Sequence, residues 1–258
     1  MLDGIRLAFS TLTALPIGPP KRVERATAGR AMAAAPLVGV ALGLAAAGAA
    51  WAAWWWCASP LTSAVVGIAT WAAGTRGLHL DGLADTADGL GLGRTRPAAD
   101  ALRVMKASDI GPFGVVTLVL VLLAQAALLT TAWQHGPGFG AAALVVATTT
   151  GRLAITWGCR RGVPSARPEG LGAWVAESVS RPTLAVTGIS VLVAATLAGL
   201  LVADGSRVVL WPLAVVIGVA ASGVLLRHTV HRFNGITGDV LGALVEVAAT
   251  AALFVLAR

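Results

Sequence analysis

The chain has 258 residues and a formal net charge of +7, yet only 12% of it is Asp, Glu, Lys or Arg and 57% is hydrophobic. Soluble domains carry roughly a quarter charged residues, so this composition excludes an ordinary soluble protein. The basic residues gather at the ends of apolar runs, which reads as a topology signal and leaves no expectation of a nucleic-acid partner. A mean hydropathy of +0.80 and several apolar runs beyond the ~17–25 residues a bilayer crossing needs predict an all-α, polytopic integral membrane helix bundle.

Residues 1–30 open with MLDGIRLAFSTLTALPIGPP, without the basic n-region and Ala-x-Ala site of a secretory signal. This segment is expected to lie at the interface as an amphipathic stretch. Spans follow at 31–57, 61–75, 111–132, 139–157, 183–203, 208–226 and 240–256, about seven in one membrane domain covering 1–258. The second is short, and the prolines fall mostly in or beside the connections, where a missing N–H costs least. Gly39, Gly43 and Ala47 give the first span a small-residue stripe suited to close packing, within one protomer or between protomers of a homo-oligomer.

Charge orients the bundle. Arg6, Lys21, Arg22, Arg25 and Arg30 precede the first span, and Arg76, Arg94, Arg96, Arg103 and Lys106 follow the second. Arg160, Arg161, Arg167 and Arg181 follow the fourth, and Arg227 and Arg232 the sixth; the alternate turns supply only Arg207. The N-terminus and segments 76–110, 158–182 and 227–239 are therefore expected in the cytoplasm. Trp54, Trp55, Trp56, Trp133 and Trp211 would form a belt at the opposite interface. Cys57 and Cys159 fall at opposite ends of the bundle, so no disulfide joins them.

The polar segment after the second span reads HLDGLADTADGLG from His79 to Gly91. Asp81, Asp85 and Asp88 stand at i, i+4 and i+7, one side of a helix. Ionised carboxylates at membrane-surface depth need water or a cation. One alternative is a hydrated loop whose glycines make turns. The other is a divalent-cation site, best suited to Mg2+, whose hard preference matches carboxylate and phosphate oxygens. His79, off the carboxylate face of a continuous helix, could orient a ligand, contact phosphate or act as a base. Lys106 could neutralise a phosphate, and Asp109 could add an oxygen ligand or pair with Lys106. Arg152, inside the fourth span, either snorkels or meets a phosphate or carboxylate, with Glu246 one candidate. In HRFNGITGDVLG, Arg232, Asn234, Gly235, Gly238 and Asp239 lead into the last span; Asp239 could cap that helix or share a site with the first cluster.

Together HLDGLADTADGL, MKASDIGPFG and HRFNGITGDVLGA, with FSTLTALPIG and APLVGVALG upstream, resemble the cobalamin synthase family, the adenosylcobinamide-GDP ribazoletransferases, over about residues 7 to 246. The resemblance implies a Mg2+-dependent inner-membrane enzyme that joins adenosylcobinamide-GDP to the 3′-hydroxyl of α-ribazole or α-ribazole 5′-phosphate and releases GMP. It implies catalytic roles for His79, Asp81, Asp85, Asp88, Lys106 and Asp239. Metal ligands would come from Asp81, Asp85, Asp88, Asp109 and Asp239, and ligand contacts from Arg152, Arg232, Asn234, Gly235 and Gly238. Many members read Lys-Asp-Ser-Arg-Ile-Gly where this chain has Lys106-Ala107-Ser108-Asp109-Ile110-Gly111, a departure centred on Asp109. A CDP-alcohol phosphatidyltransferase would use similar chemistry, but its Asp-Gly-x-x-Ala-Arg pattern with a later Asp pair is not met. A divalent-cation transporter would want acidic residues near mid-membrane on broken helices.

The orientation is checked by placing single cysteines at Thr95, Gly136 and Gly205 in a Cys57→Ser background. Positions 136 and 205 should react with an impermeant thiol reagent in intact cells and position 95 only after permeabilisation; the reverse pattern means the bundle is inverted.

Overall fold

The computed structural model describes residues 2–18, 20, 24–93 and 95–258; Lys21, Arg22 and Arg94, used above for orientation, lie outside them. Helices α1 (Leu2–Leu12) and α2 (Arg25–Ala33) come first, followed by α3 (Ala35–Cys57) and α4 (Pro60–Gly74). α5 (Leu78–Gly91) and α6 (Ala98–Val104) form a polar insertion ahead of α7 (Pro112–Gln134) and α8 (Pro137–Gly158). The short α9 (Leu171–Val175) leads to α10 (Arg181–Val202), then α11 (Leu210–Phe233), entered through a 3-10 turn, and α12 (Gly238–Leu256). Six of these, α3, α7, α8, α10, α11 and α12, are long and apolar enough to cross a membrane, and the 15-residue apolar α4 is the short seventh. The protein is a multi-pass helix bundle.

Local chemistry sets the helix ends. Pro60, Pro112, Pro137 and Pro182 sit at the first positions of α4, α7, α8 and α10, where their missing N–H costs nothing. Ser59 and Ser180 cap α4 and α10 by accepting from Thr62 N at 3.2 Å and Thr183 N at 3.3 Å. The first span begins at Ala35 and not at 31: residues 31–33 belong to α2, Ala34 makes the turn, and Pro36 starts α3.

The bundle is layered. The most apolar windows of α8 and α12 are 78% and 72% buried, whereas those of α7 and α10 are 17% buried, so the first pair is the centre and the second pair faces lipid. α3 lies against α8 through the glycine stripe. A Cβ on Gly39 would come within 2.7 Å of Thr148 O, and one on Gly43 within 2.8 Å of Val145 Cα. Thr148 Oγ1 donates to Gly39 O at 3.0 Å across the same contact. The stripe is thus used inside the chain.

The tryptophan belt is a partial correction. Trp133 and Trp211 are fully buried, while Trp55 and Trp56 project outward. Trp133 stacks on Trp54 with ring centroids 5.7 Å apart, and Trp211 meets Phe139 edge-on at 5.1 Å; large rings close gaps between helices there. Cys57 and Cys159 are free thiols. At the other end, α1 packs on α2, where a Cβ on Gly4 would lie 2.7 Å from Arg30 Cβ. Ala14 N also donates to Gly74 O at 2.7 Å, so the N-terminal segment is tied to the foot of α4.

Replacing Gly39 with Leu should overpack the α3–α8 contact by roughly 1–3 kcal/mol or more. Gly48→Leu, on the same helix but with no atom within 4 Å of its Cβ direction, should leave the melting temperature in detergent unchanged. Equal shifts for both would remove the stripe from the packing account.

Candidate active site

α4 ends where Arg76 and Gly77 adopt left-handed backbone, φ 54° and 71°, a conformation that glycine tolerates best. The chain turns there and resumes as α5, which carries the aspartates. Gly82 decides how close α5 comes to α12: a Cβ there would lie 2.6 Å from Asp239 O and 2.9 Å from Asp239 Cα. One turn along, a Cβ on Gly242 would lie 3.2 Å from His79 Cα. Backbone therefore meets backbone, and the first turn of α12 is held against the first two turns of α5.

That crossing brings Asp81 and Asp85 within electrostatic range of Asp239. Burial, then the charges of Asp81, Asp239 and Asp88, push the Asp85 carboxyl up to about 7, with Arg167 opposing them. Asp239 does not cap α12. Thr237 does, its Oγ1 accepting from Val240 N at 3.2 Å and donating to Asp239 Oδ2 at 3.2 Å. Asp239 is left facing the site, with Arg167 Nη1 3.9 Å from its Oδ2.

Asp88 has a different set of partners. It is buried, its Oδ2 accepting from Gly111 N at 2.8 Å and its Oδ1 from Gly114 N at 2.9 Å. Both donors belong to the N-terminus of α7, where free N–H groups and the helix dipole favour a carboxylate. Both oxygens of Asp88 are thus engaged in joining α5 to α7.

A cavity of about 220 Å³ opens beside this cluster, lined by Leu12, Met32, His79, Asp81, Leu171 and Asp239 among others. His79 is buried at its base. Burial, and secondarily the Arg152 charge, holds its imidazole well below the usual range, so the ring is neutral. Arg152 Nη2 lies 3.4 Å from His79 Nδ1. A guanidinium offers only N–H donors, so Nδ1 accepts and the ring proton resides on Nε2, which has no partner. Arg152 is fully buried, with Nε and Nη1 also unpartnered and the Trp71 ring 5.4 Å from its guanidinium. Glu246 does not pair with it; Glu246 Oε2 accepts from Gln125 Nε2 at 2.8 Å, and the same amide reaches Thr250 at 3.0 Å.

The remaining sequence candidates are dispersed. Lys106 and Asp109 are exposed in the turn before α7, and among the described residues the ion pairs are Arg103–Asp100 and Arg167–Asp239, so Lys106 and Asp109 do not pair. Arg232 Nη2 donates to Gly93 O at 3.0 Å. Asn234 is the exposed left-handed residue that ends α11. A Cβ on Gly235 would run into the backbone of Pro164, Ser165 and Ala166. There Ile236 N donates to Pro164 O and Ala166 N to Ile236 O, both at 2.9 Å. This pairing lays segment 164–167 over the start of α12 and delivers Arg167 to Asp239. Gly238 lines the cavity. Arg167 and Thr237 were not among the site residues read from the sequence; a lone arginine between Pro164 and Pro168 gives no local signal of where it lands.

The donor set suits Mg2+. Asp81, Asp85 and Asp239 offer only oxygen, with a single arginine nearby, and repulsion among them is relieved by a cation. Among the described residues no three His, Cys, Asp or Glu side chains close round one ion position.

A family profile described as Cobalamin-5-phosphate synthase matches residues 4–257. The chain is 47% identical to the adenosylcobinamide-GDP ribazoletransferase of Frankia casuarinae over 267 residues, covering 100% of this chain and 95% of the relative. Proteins of the same description from a Nocardioides species and Pseudomonas putida are 41% and 36% identical, with 98% and 93% of this chain and 97% and 93% of theirs covered. No solved structure matches.

Asp85 and Asp88 should have opposite effects on stability. Folded Asp85 keeps its proton up to about 7 while an ordinary carboxyl releases it near 3.8. The folded state therefore binds more protons across that window, and metal-free stability falls as pH rises through it. Asp85→Asn should flatten this slope and raise the melting temperature above it, whereas Asp88→Asn should cost ~1–3 kcal/mol through lost charge-assisted bonds. Melts in detergent with chelator, from about pH 4 to 8, check both; parallel curves for wild type and Asp85→Asn would refute the first.

Proposed function

The chain belongs to the cobalamin-5-phosphate synthase family, and from that premise we propose that it transfers the adenosylcobinamide phosphoryl group of adenosylcobinamide-GDP to the 3′-hydroxyl of α-ribazole or α-ribazole 5′-phosphate. A new O–P bond forms at the phosphorus attached to cobinamide, the P–O bond to GMP breaks, and GMP leaves. The reaction belongs at the cytoplasmic face of the inner membrane, where the nucleotide substrate is. The observation that carries this reading is the convergence of Asp81 from α5 and Asp239 from α12 in the lining of one cavity, with Asp85 within electrostatic range of both.

Asp81, Asp85 and Asp239 would hold Mg2+, which when bound neutralises diphosphate charge and polarises the attacked phosphoryl group. The chain's own groups do the rest. His79 Nε2–H, unpartnered at the cavity base, donates to a phosphoryl oxygen. In this tautomer it is a donor and not the base. The hydroxyl proton passes to a carboxylate of this cluster that the metal leaves unbound. Arg167, beside Asp239, supplies a planar cation suited to the departing GMP phosphate. Asp88 keeps α5 fixed on α7, so that the carboxylates are positioned before substrate arrives.

Purified protein given both substrates should release GMP only with Mg2+. Asp85→Asn and Asp239→Asn should each lower turnover at least ~100-fold, and Arg167→Gln by ~10-fold or more, none through a lowered melting temperature. Near-normal turnover of Asp239→Asn at limiting Mg2+ would remove α12 from the site.

A further inference from the structure

Away from the aspartates, a groove of about 710 Å³ runs between α10 on one side and α8 and α11 on the other. Its walls are aliphatic, with Leu184, Ile189 and Leu192 facing Val216, Val219 and Val224. At its polar end stand Arg160, Arg181 and Arg227. Two adjoining cavities of about 400 and 420 Å³ share these arginines and continue the basic surface. Among the described residues the ion pairs lie elsewhere, so no carboxylate neutralises any of the three.

Two details distinguish this groove from a gap left by loose packing. Gly188 and Gly223 line it, and glycine inside a helix is weaker than alanine. Neither is needed for helix contact: a Cβ on Gly188 would meet nothing within 4 Å, and one on Gly223 only Trp157 Nε1 at 3.7 Å. They keep the groove wide. The second detail is Trp157, whose indole Nε1 is buried beside the groove without an acceptor. The same tryptophan fixes Arg160, which donates from Nη1 to Trp157 O at 2.8 Å and lies 4.4 Å from its ring.

We infer that this groove binds one anionic glycerophospholipid, its acyl chains between α10 and α11 and its phosphate among Arg160, Arg181 and Arg227. Guanidinium forks match phosphate oxygens, and three uncompensated positive charges favour a net-negative headgroup over a zwitterionic one. Free phosphate would account for the arginines but not for the aliphatic walls or the two glycines.

The test uses full-length protein, delipidated in detergent, offered phosphatidylglycerol or phosphatidylcholine of identical chains and read by native mass spectrometry. A phosphatidylglycerol with a diazirine in its acyl chain maps the contact. Retention of phosphatidylglycerol should exceed that of phosphatidylcholine by at least ~5-fold, with crosslinks in 184–192 and 215–224. The triple variant Arg160→Gln, Arg181→Gln, Arg227→Gln should lose the preference. Gly188→Leu with Gly223→Leu should lose the crosslinks without a lower melting temperature. Equal retention of the two lipids, crosslinks confined to other helices, unchanged crosslinking of the leucine variant, or displacement by inorganic phosphate alone would overturn the assignment. Should the leucine variant not fold, the position of the wild-type crosslinks decides.

Discussion

The contact on which the rest of the site depends is between two backbones. α5 and α12 approach until Gly82 leaves no room for a side chain against Asp239 and Gly242 leaves little against His79. Any larger residue at either position would force the helices apart and separate Asp81 and Asp85 from Asp239. The site thus depends on packing first and on charge second. Two glycines in the middle of an acidic helix and an apolar one look expendable in isolation, yet they set how near the carboxylates come.

Such nearness costs electrostatic energy, which the fold meets in three ways. Asp88 is turned away and satisfied by the N-terminus of α7. Arg167 is brought in from a distant segment by two backbone hydrogen bonds with the 235–237 loop. What repulsion is left falls on Asp85. Deeper in, the fully buried Arg152 sets the tautomer of His79 without pairing directly with Glu246.

Much of this was legible in the sequence. Seven apolar segments, their proline boundaries and the clusters of arginine mark the helices, because length and hydropathy are local properties. The i, i+4, i+7 aspartates and the GITGDV stretch mark the two halves of the site for the same reason. Partners at long range were not legible. Helical spacing groups Asp88 with Asp81 and Asp85, but its oxygens are taken by amides 23 and 26 residues away. Asp239 reads from the sequence as a helix cap, and only the three-dimensional turn gives that place to Thr237. Trp133 and Trp211 read as interfacial from position alone; neighbouring helices bury them. Arg167 is visible only after segment 164–167 has paired with the loop before α12.

The 15 residues of α4 rise about 22 Å, short of the ~30 Å hydrocarbon thickness of a typical bilayer. A helix shorter than the hydrocarbon is accommodated by local thinning of the bilayer or by flanking residues that reach for the interface. The foot of α4 is the turn at Thr75–Gly77, directly before the acidic helix, so whichever accommodation a membrane imposes on the short helix is felt beside the carboxylates.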